Sequence, residues 1–151
     1  MTADILSAHL PGDRVRPLLE AAEDADGIAA FSESFVQGLD DERVRHTHFL
    51  VEDGGDVVAC AGLAEDGSAE LVVHPDFRRK GIGEALARKV RAESPDAGLW
   101  AHGNLAGAKA LAAKLGLSVS RELLVMGISA DDIPSGGPEL PGGFEALDYV
   151  G

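Results

Sequence analysis

Three consecutive basic residues followed by two closely spaced glycines, Arg78-Arg79-Lys80-Gly81-Ile82-Gly83, stand where a helix is predicted to begin. The first N–H groups of a helix have no partner inside the helix, and the helix dipole adds partial positive charge there. Glycine lets an anion approach those amides because no β-carbon intervenes. The segment therefore predicts an anion site, most simply one for a phosphate group.

The glycine pattern distinguishes between phosphate-binding motifs. A dinucleotide-binding fingerprint needs a third glycine where Leu86 stands, and the P-loop sequence of nucleotide triphosphatases is absent. A second interpretation applies to Arg88, Lys89 and Arg91, which can form a solvated helix face with a Glu84–Arg88 pair. That interpretation does not account for the three basic residues that precede Gly81.

Composition narrows the class of protein. The 151 residues suit one domain, and 45% of them are hydrophobic. The net charge of −13 argues against binding to nucleic acid or to an anionic membrane surface, although residues 78–91 carry a net charge of about +5. A single cysteine, Cys60, and no apparent signal segment predict a cytoplasmic protein.

Hydrophobic periodicity predicts a mixed α/β chain in which an antiparallel meander precedes a strand–helix–strand–helix–strand order. We expect a domain over residues 1–130 and a Pro- and Gly-rich linker and tail over residues 131–151. Helices are predicted at residues 11–25, 31–39, 81–93 and from 104 to a stop at Gly116. Strands are predicted at residues 48–51, 57–63, 69–74, 98–102 and 119–128.

The segment Arg78–Gly83 resembles the Gln/Arg-x-x-Gly-x-Gly/Ala motif of the GCN5-related N-acetyltransferases (GNAT). The order of elements from about residue 10 to residue 128 is also similar to that fold. Within the family, four segments resemble the N-terminal half of the mycothiol synthases. They are Asp26-Gly-Ile-Ala-Ala-Phe-Ser-Glu33, Ala69-Glu-Leu-Val-Val-His-Pro75, Leu99-Trp-Ala-His-Gly103 and Arg121-Glu-Leu-Leu-Val-Met126.

This resemblance implies the GNAT (acyl-CoA N-acyltransferase) fold with a splayed central strand pair, and acetyl-CoA as cosubstrate. It implies transfer of an acetyl group to a primary amine of a small polar molecule, which in mycothiol synthase is the cysteinyl amine of a glucosaminyl-inositol conjugate. The pantetheine arm would pair with the backbone of Leu71, Val72 and Val73. The pyrophosphate would lie against the loop residues Arg78, Arg79, Lys80, Gly81, Ile82, Gly83 and Glu84.

The sequence departs from the family at the catalytic pair. Many members place a tyrosine four residues before the glycine that ends the last helix, and Ala112 holds that position. The only tyrosine, Tyr149, follows the linker. Glu70 is the candidate general base, with a solvent-facing strand carboxylate as the alternative. Glu33 is the candidate substrate-binding residue, or simply an acid at a helix start.

The histidines and the overall activity leave alternatives open. His46 and His48 are expected to form a strand-surface pair, and no metal site is predicted. His74 and His102 end the strands beside the expected cleft, as proton relays or as structural residues. The chain is either an active N-acetyltransferase or a catalytically silent, acetyl-CoA-binding half. A homodimer or association with a second GNAT domain would fit either reading.

Overall fold

The computed structural model describes residues 4–136, 139–145 and 147. The chain consists of two compact units, Met1–Ser118 and Val119–Gly151. All strands and all helices of four or more residues in the described part belong to the first unit. The predicted end of the domain at residue 130 stays a prediction.

The first unit contains one five-stranded mixed sheet. Its strands follow one another in chain order, the first four are antiparallel, and the last runs parallel to its neighbour. This arrangement confirms the predicted α/β class and the meander. The strands are β1 (Ile5–Ala8), β2 (Thr47–Asp53), β3 (Asp56–Leu63), β4 (Ser68–Val73) and β5 (Gly98–Leu99).

Helices cover both faces of the sheet. Side chains alternate across each strand, so that Leu50, Cys60 and Val72 face one helical layer while Phe49 and Ala61 face the other. The first layer is α1 (Gly12–Asp26) and α2 (Glu33–Gly38), and the second is α3 (Ile82–Glu93). The fourth helix, α4 (Ala106–Lys114), follows β5. None of these helices combines the length and apolar character needed to cross a membrane, among the residues described.

Three predicted elements differ from the structure. Residues 119–128, predicted as a strand, form none, because a strand needs a hydrogen-bonded neighbour and an apolar run does not supply one. The strand predicted at residues 98–102 is only Gly98–Leu99, and α4 begins at Ala106 rather than at residue 104. One strand was not predicted at all: β1 is four residues long and pairs with β2.

His46 and His48 do not form the predicted surface pair. His48 is buried, and burial, followed by the positive charge of His46 and His9 when protonated, lowers its pKa to about 4. His46 stacks against Phe35, with ring centroids 4.5 Å apart. Both histidines are therefore part of the packing between β2 and the α2 region.

Candidate functional site

The sheet opens between β4 and β5. The two parallel strands are paired only at Ser68–Gly98 and Ala69–Leu99, and the Trp100 N–H donates to the Ala69 carbonyl at 2.9 Å. β4 continues to Val73, four residues beyond the last paired position. The predicted splay of the central strands is therefore present in the fold.

Strand alternation decides which backbone groups of β4 face this opening. The backbone of Ala69 faces β5, so the N–H and C=O groups of Leu71 and Val73 point the same way. Val72 lies opposite Cys60 of β3, and its backbone groups face that strand. Of the three predicted pantetheine-pairing residues, Leu71 and Val73 present main-chain groups to the opening, and Val72 contributes a buried side chain to the core.

The N-terminus of α3 lies after β4 and a short 3₁₀ turn, Pro75–Phe77. Gly81 is the N-cap residue, with a φ of 84°, and Arg79 also has a positive φ of 65°. No side chain among the described residues caps the helix. The first-turn amides from Ile82 onward are therefore free to donate to an external acceptor.

The two glycines have different surroundings. A β-carbon built at Gly81 would meet no atom of the described residues within 4 Å, so this position opens outward. One at Gly83 would lie 3.6 Å from Val73 Cγ2 and 3.7 Å from Leu111 Cδ2, which is ordinary contact. The backbone conformation at position 81 therefore favours glycine, whereas Gly83 lies where α3, β4 and α4 meet.

Arg78 anchors the loop to the fold. Its guanidinium donates to both carboxylate oxygens of Asp26 at 2.7 and 2.8 Å, and its Nε donates to the Val73 carbonyl at 3.0 Å. These hydrogen bonds lower the pKa of Asp26 and raise that of Arg78. The side chain of Arg78 is thus committed to α1 and β4, and it leaves only its main chain for an anion.

Arg79 and Lys80 remain as the charged side chains beside the helix start. Both are exposed, neither forms an ion pair within the described chain, and Lys80 Nζ lies 4.8 Å from the Phe77 ring centroid. Glu84, the acidic residue of the first turn, is paired with Lys114 of α4 and with Arg88. These two partners lower the pKa of Glu84. The local field at the helix start is accordingly positive.

A buried carboxylate lies where the sheet begins to open. The Glu70 side chain projects from β4 toward the α1–α2 layer, and the residue is 2% exposed. The Ser32 N–H, at the start of α2, donates to its Oε2 at 2.7 Å, and His102 Nε2 lies 2.9 Å from its Oε1. The solvent-facing alternative for Glu70 is therefore wrong.

The other predicted residues have simpler positions. Glu33 is exposed as the first residue of α2, beside the segment that contacts Glu70. His74 accepts from the Asp76 N–H at 3.2 Å and packs edge-on against Phe77, a structural role. Cys60 is buried, and burial raises the pKa of its thiol to about 12. Tyr149 is outside the described residues.

Three residues of this site were not found by sequence reasoning. Asp26, Ser32 and Lys114 act through partners 52, 38 and 30 positions away in the chain. No local pattern marks such contacts. For Asp26 alone the sequence held a signal: the first predicted helix ends in acidic residues, which could pair with the basic residues of the later loop.

Together, the splayed strands and the glycine-started helix are features of the GNAT fold. Residues 45–116 match the family described as "Acetyltransferase (GNAT) domain", and the chain belongs to that family. Those residues include β2 to α4 and thus every part of the opening described above. A GNAT-family acetyltransferase from Streptococcus pneumoniae has the same fold, with a TM-score of 0.58 and 18% identity over 85% of this chain and 99% of that one.

Among curated proteins, the chain is similar to mycothiol acetyltransferase of Corynebacterium diphtheriae. The two are 43% identical over 136 residues, which are 89% of this chain and 45% of that protein. The chain thus spans less than half the length of this relative. An aminoglycoside N-acetyltransferase solved in complex with CoA shares the fold, with a TM-score of 0.56 and 16% identity over 84% of this chain and all of that one.

Proposed function

We propose that the chain binds acetyl-CoA and transfers its acetyl group to the primary amine of a small polar molecule. One observation carries the proposal. The uncapped N-terminus of α3, with Gly81 at a φ of 84°, follows a strand whose backbone edge is open beyond Ala69, after one short turn and the basic loop. A helix start of this kind suits a diphosphate, and an open strand edge suits an extended amide-containing arm.

The binding residues follow from their positions. The amides of residues 81–84 would donate to the pyrophosphate, with Arg79 and Lys80 supplying charge from the exposed side. Arg78 would contribute through its main chain and by holding the loop in place. Leu71 would pair with the pantetheine arm through its N–H and C=O groups, and Val73 through its N–H, because the Val73 carbonyl already accepts from Arg78 Nε. Val72 would support the strand from the core.

Catalysis would depend on position and on proton removal. A strand amide of β4 facing the opening can donate to the thioester carbonyl, which stabilises the negative charge that develops there. Glu70 follows Ala69, the last residue of β4 paired with β5, and we propose that its buried carboxylate takes part in proton removal. The described residues 111–113 offer no acidic side chain for the leaving thiolate, so we propose that it departs unprotonated or takes a proton from water.

The name of the relatives supports a substrate class. The matched proteins are called mycothiol acetyltransferases, and we propose the cysteinyl amine of a glucosaminyl-inositol conjugate as acceptor, with Glu33 at the mouth of the site. We further propose cytoplasmic action, where acetyl-CoA is available. Association with a second GNAT domain is favoured over a homodimer by the length of the relatives.

A second function is favoured by one observation. Ala112 occupies the position at which many family members carry a tyrosine acid. The chain could accordingly be a catalytically silent half that binds acetyl-CoA and supports a catalytic domain. The two functions share the coenzyme site and differ only in turnover.

The experiment measures binding and turnover on the same protein. Thermal unfolding with and without acetyl-CoA reports binding, since a ligand of the native state stabilises it by mass action. Release of free CoA thiol with the cysteinyl-glucosaminyl-inositol conjugate reports transfer. Stabilisation with turnover supports the enzyme, and stabilisation without turnover supports the silent half. No stabilisation by acetyl-CoA would contradict both.

A further inference from the structure

The Glu70 carboxylate is enclosed too completely to meet a substrate itself. Its side chain is 3% exposed, and each oxygen already has a close partner, Ser32 N–H on Oε2 and His102 Nε2 on Oε1. An amine arriving from solvent would have to displace one of these partners and open the contact between β4 and α2. Any proton that reaches Glu70 must therefore pass through a neighbouring group.

His102 is that neighbour. Its Nε2 atom is buried against Glu70, and the rest of its side chain is partly exposed. Its Nε2 is out of contact with solvent, while the side chain as a whole is 30% exposed. The exposure therefore belongs to the other part of the ring. None of the described residues forms a hydrogen bond with Nδ1. Nε2 lies 2.9 Å from the carboxylate oxygen, although the two are not aligned as a hydrogen bond among the described residues. An unprotonated nitrogen that close to a carboxylate would be repelled, so we place the ring proton on Nε2, which leaves a free lone pair on Nδ1.

The backbone fixes this imidazole beside the opening of the sheet. His102 follows β5 by three residues, and Trp100 ties that segment to Ala69 of β4. The next residue, Gly103, has a φ of 77°, and a β-carbon there would lie 2.9 Å from Ile28 Cγ2. The turn that carries His102 is thus closely packed against the segment between α1 and α2.

We propose that His102 is the proton acceptor of the reaction and that Glu70 is its positioning residue. The inference rests on the proposed function and names the atom at which the proton arrives. The amine nitrogen forms a bond to the thioester carbonyl carbon, the carbon–sulfur bond breaks, and CoA leaves as the thiolate. The proton lost by the nitrogen goes to Nδ1 of His102, and Glu70 stabilises the resulting imidazolium through Nε2–H.

A single substitution at Glu70 tests the geometry without any turnover. In Glu70→Gln, the fixed Ser32 N–H still requires an oxygen, so the side-chain amide must turn its NH₂ toward His102. Nε2 then has to accept, and the imidazole changes from the Nε2–H to the Nδ1–H tautomer. Long-range ¹⁵N–¹H correlation spectra of the labelled full chain distinguish the two forms, and His102→Gln identifies the signal. An Nδ1–H tautomer in the unsubstituted protein would overturn the proposal.

Kinetics tests the role in transfer. We expect His102→Gln and Glu70→Gln to lower kcat with the cysteinyl-glucosaminyl-inositol conjugate by about 10²–10³-fold, with KM for acetyl-CoA unchanged. His9→Gln changes an exposed histidine that contacts only Glu42 among the ion pairs of the described residues, so it is the matched control and keeps full activity. Undiminished kcat in His102→Gln overturns this inference alone. Loss of acetyl-CoA stabilisation in the unsubstituted chain, or binding without turnover, overturns the proposed enzyme and the role of His102 with it.

Discussion

Gly81 is the residue on which the coenzyme site depends most directly. Its φ of 84° turns the chain at the start of α3, and within the described part of the chain no atom lies within 4 Å of a β-carbon built there. Alanine at this position costs about 1–2 kcal/mol in backbone strain. We expect Gly81→Ala to weaken acetyl-CoA binding at least tenfold, measured by calorimetric titration, because relief of the strain redirects the amides.

Gly55 provides the matched control for that substitution. It has a φ of 94°, no atom lies within 4 Å of its built β-carbon, and it belongs to the turn between β2 and β3. Gly55→Ala should cost a similar free energy of unfolding and leave acetyl-CoA affinity unchanged. Equal affinities in the two variants would show that the conformation at Gly81 does not hold the ligand.

The Asp26–Arg78 pair fixes the loop before α3. We expect Asp26→Asn to lower the free energy of unfolding by about 1–3 kcal/mol near pH 7, because the bidentate hydrogen bonds to a charged partner are lost. The pKa of Asp26 is depressed below its ordinary 3.8, so this stability is present above pH 3.8 and lost as pH falls through the native pKa.

Urea denaturation at several pH values measures this effect. The difference between Asp26→Asn and the unsubstituted chain should be constant above about pH 5 and shrink below pH 3.8. Glu65→Gln, which removes an exposed pair with Arg45, is the control and should change stability by less than about 1 kcal/mol. A pH-independent deficit in Asp26→Asn would mean that the charge of Asp26 is not the source of the stability.

At the scale of elements, a lysine of α4 neutralises a negative charge at the N-terminus of α3. Lys114 and Arg88 neutralise Glu84, the acidic residue nearest the proposed pyrophosphate position. Lys114→Met should therefore reduce acetyl-CoA affinity about two- to fivefold, and the reduction should diminish at high salt. The control is Lys89→Met, which removes an i,i+4 pair with Glu93 further along α3. An equal loss in both variants would point to net charge rather than to position.

Strand β2 makes stability depend on pH through His48. Burial lowers the pKa of His48 to about 4, so below pH 6.5 the unfolded chain binds a proton that the native chain does not. Stability is therefore complete above pH 6.5 and falls by up to about 3 kcal/mol as pH decreases toward 4. His48→Gln should lose this part of the pH dependence and His9→Gln should keep it, as measured by denaturation between pH 4 and pH 7.5. Identical slopes in all three proteins would contradict the burial of a neutral imidazole.

Periodicity and turn residues predict most elements because these signals are local. The continuous apolar run of β3, the stop of α4 at Gly116 with its φ of 66° and the amphipathic α3 all follow from neighbouring residues. Strand β1 and the absent strand at residues 119–128 depend on a partner elsewhere in the chain, which no local window contains. Propensity indicates that a segment can pair, and only the tertiary structure decides whether it does.

At the scale of the whole molecule, the site was predictable in outline and not in its side-chain contacts. The glycine-started helix and the strand before it were visible in the sequence, because both are contiguous segments. The side of the sheet that Glu70 faces, the capture of Arg78 by Asp26 and the contact of His102 with Glu70 could not be predicted. Each depends on two elements meeting across the sheet or at its opening.

The unit Met1–Ser118 contains every group that the proposal assigns to the coenzyme. If it holds the whole site, half-maximal thermal stabilisation should occur at the same acetyl-CoA concentration in this unit and in the full chain, because that concentration depends on affinity. Differential scanning fluorimetry of the two proteins over a concentration series makes the comparison. A shift confined to the full chain would assign part of the site to the residues that follow.

A crystal structure with acetyl-CoA tests the central claim most directly. The account predicts pyrophosphate oxygens within about 3.2 Å of the main-chain nitrogens of residues 81–84, and the pantetheine arm paired with Leu71 and Val73 at the opening between β4 and β5. A coenzyme bound elsewhere, or electron density absent from the N-terminus of α3 at saturating acetyl-CoA, would contradict it.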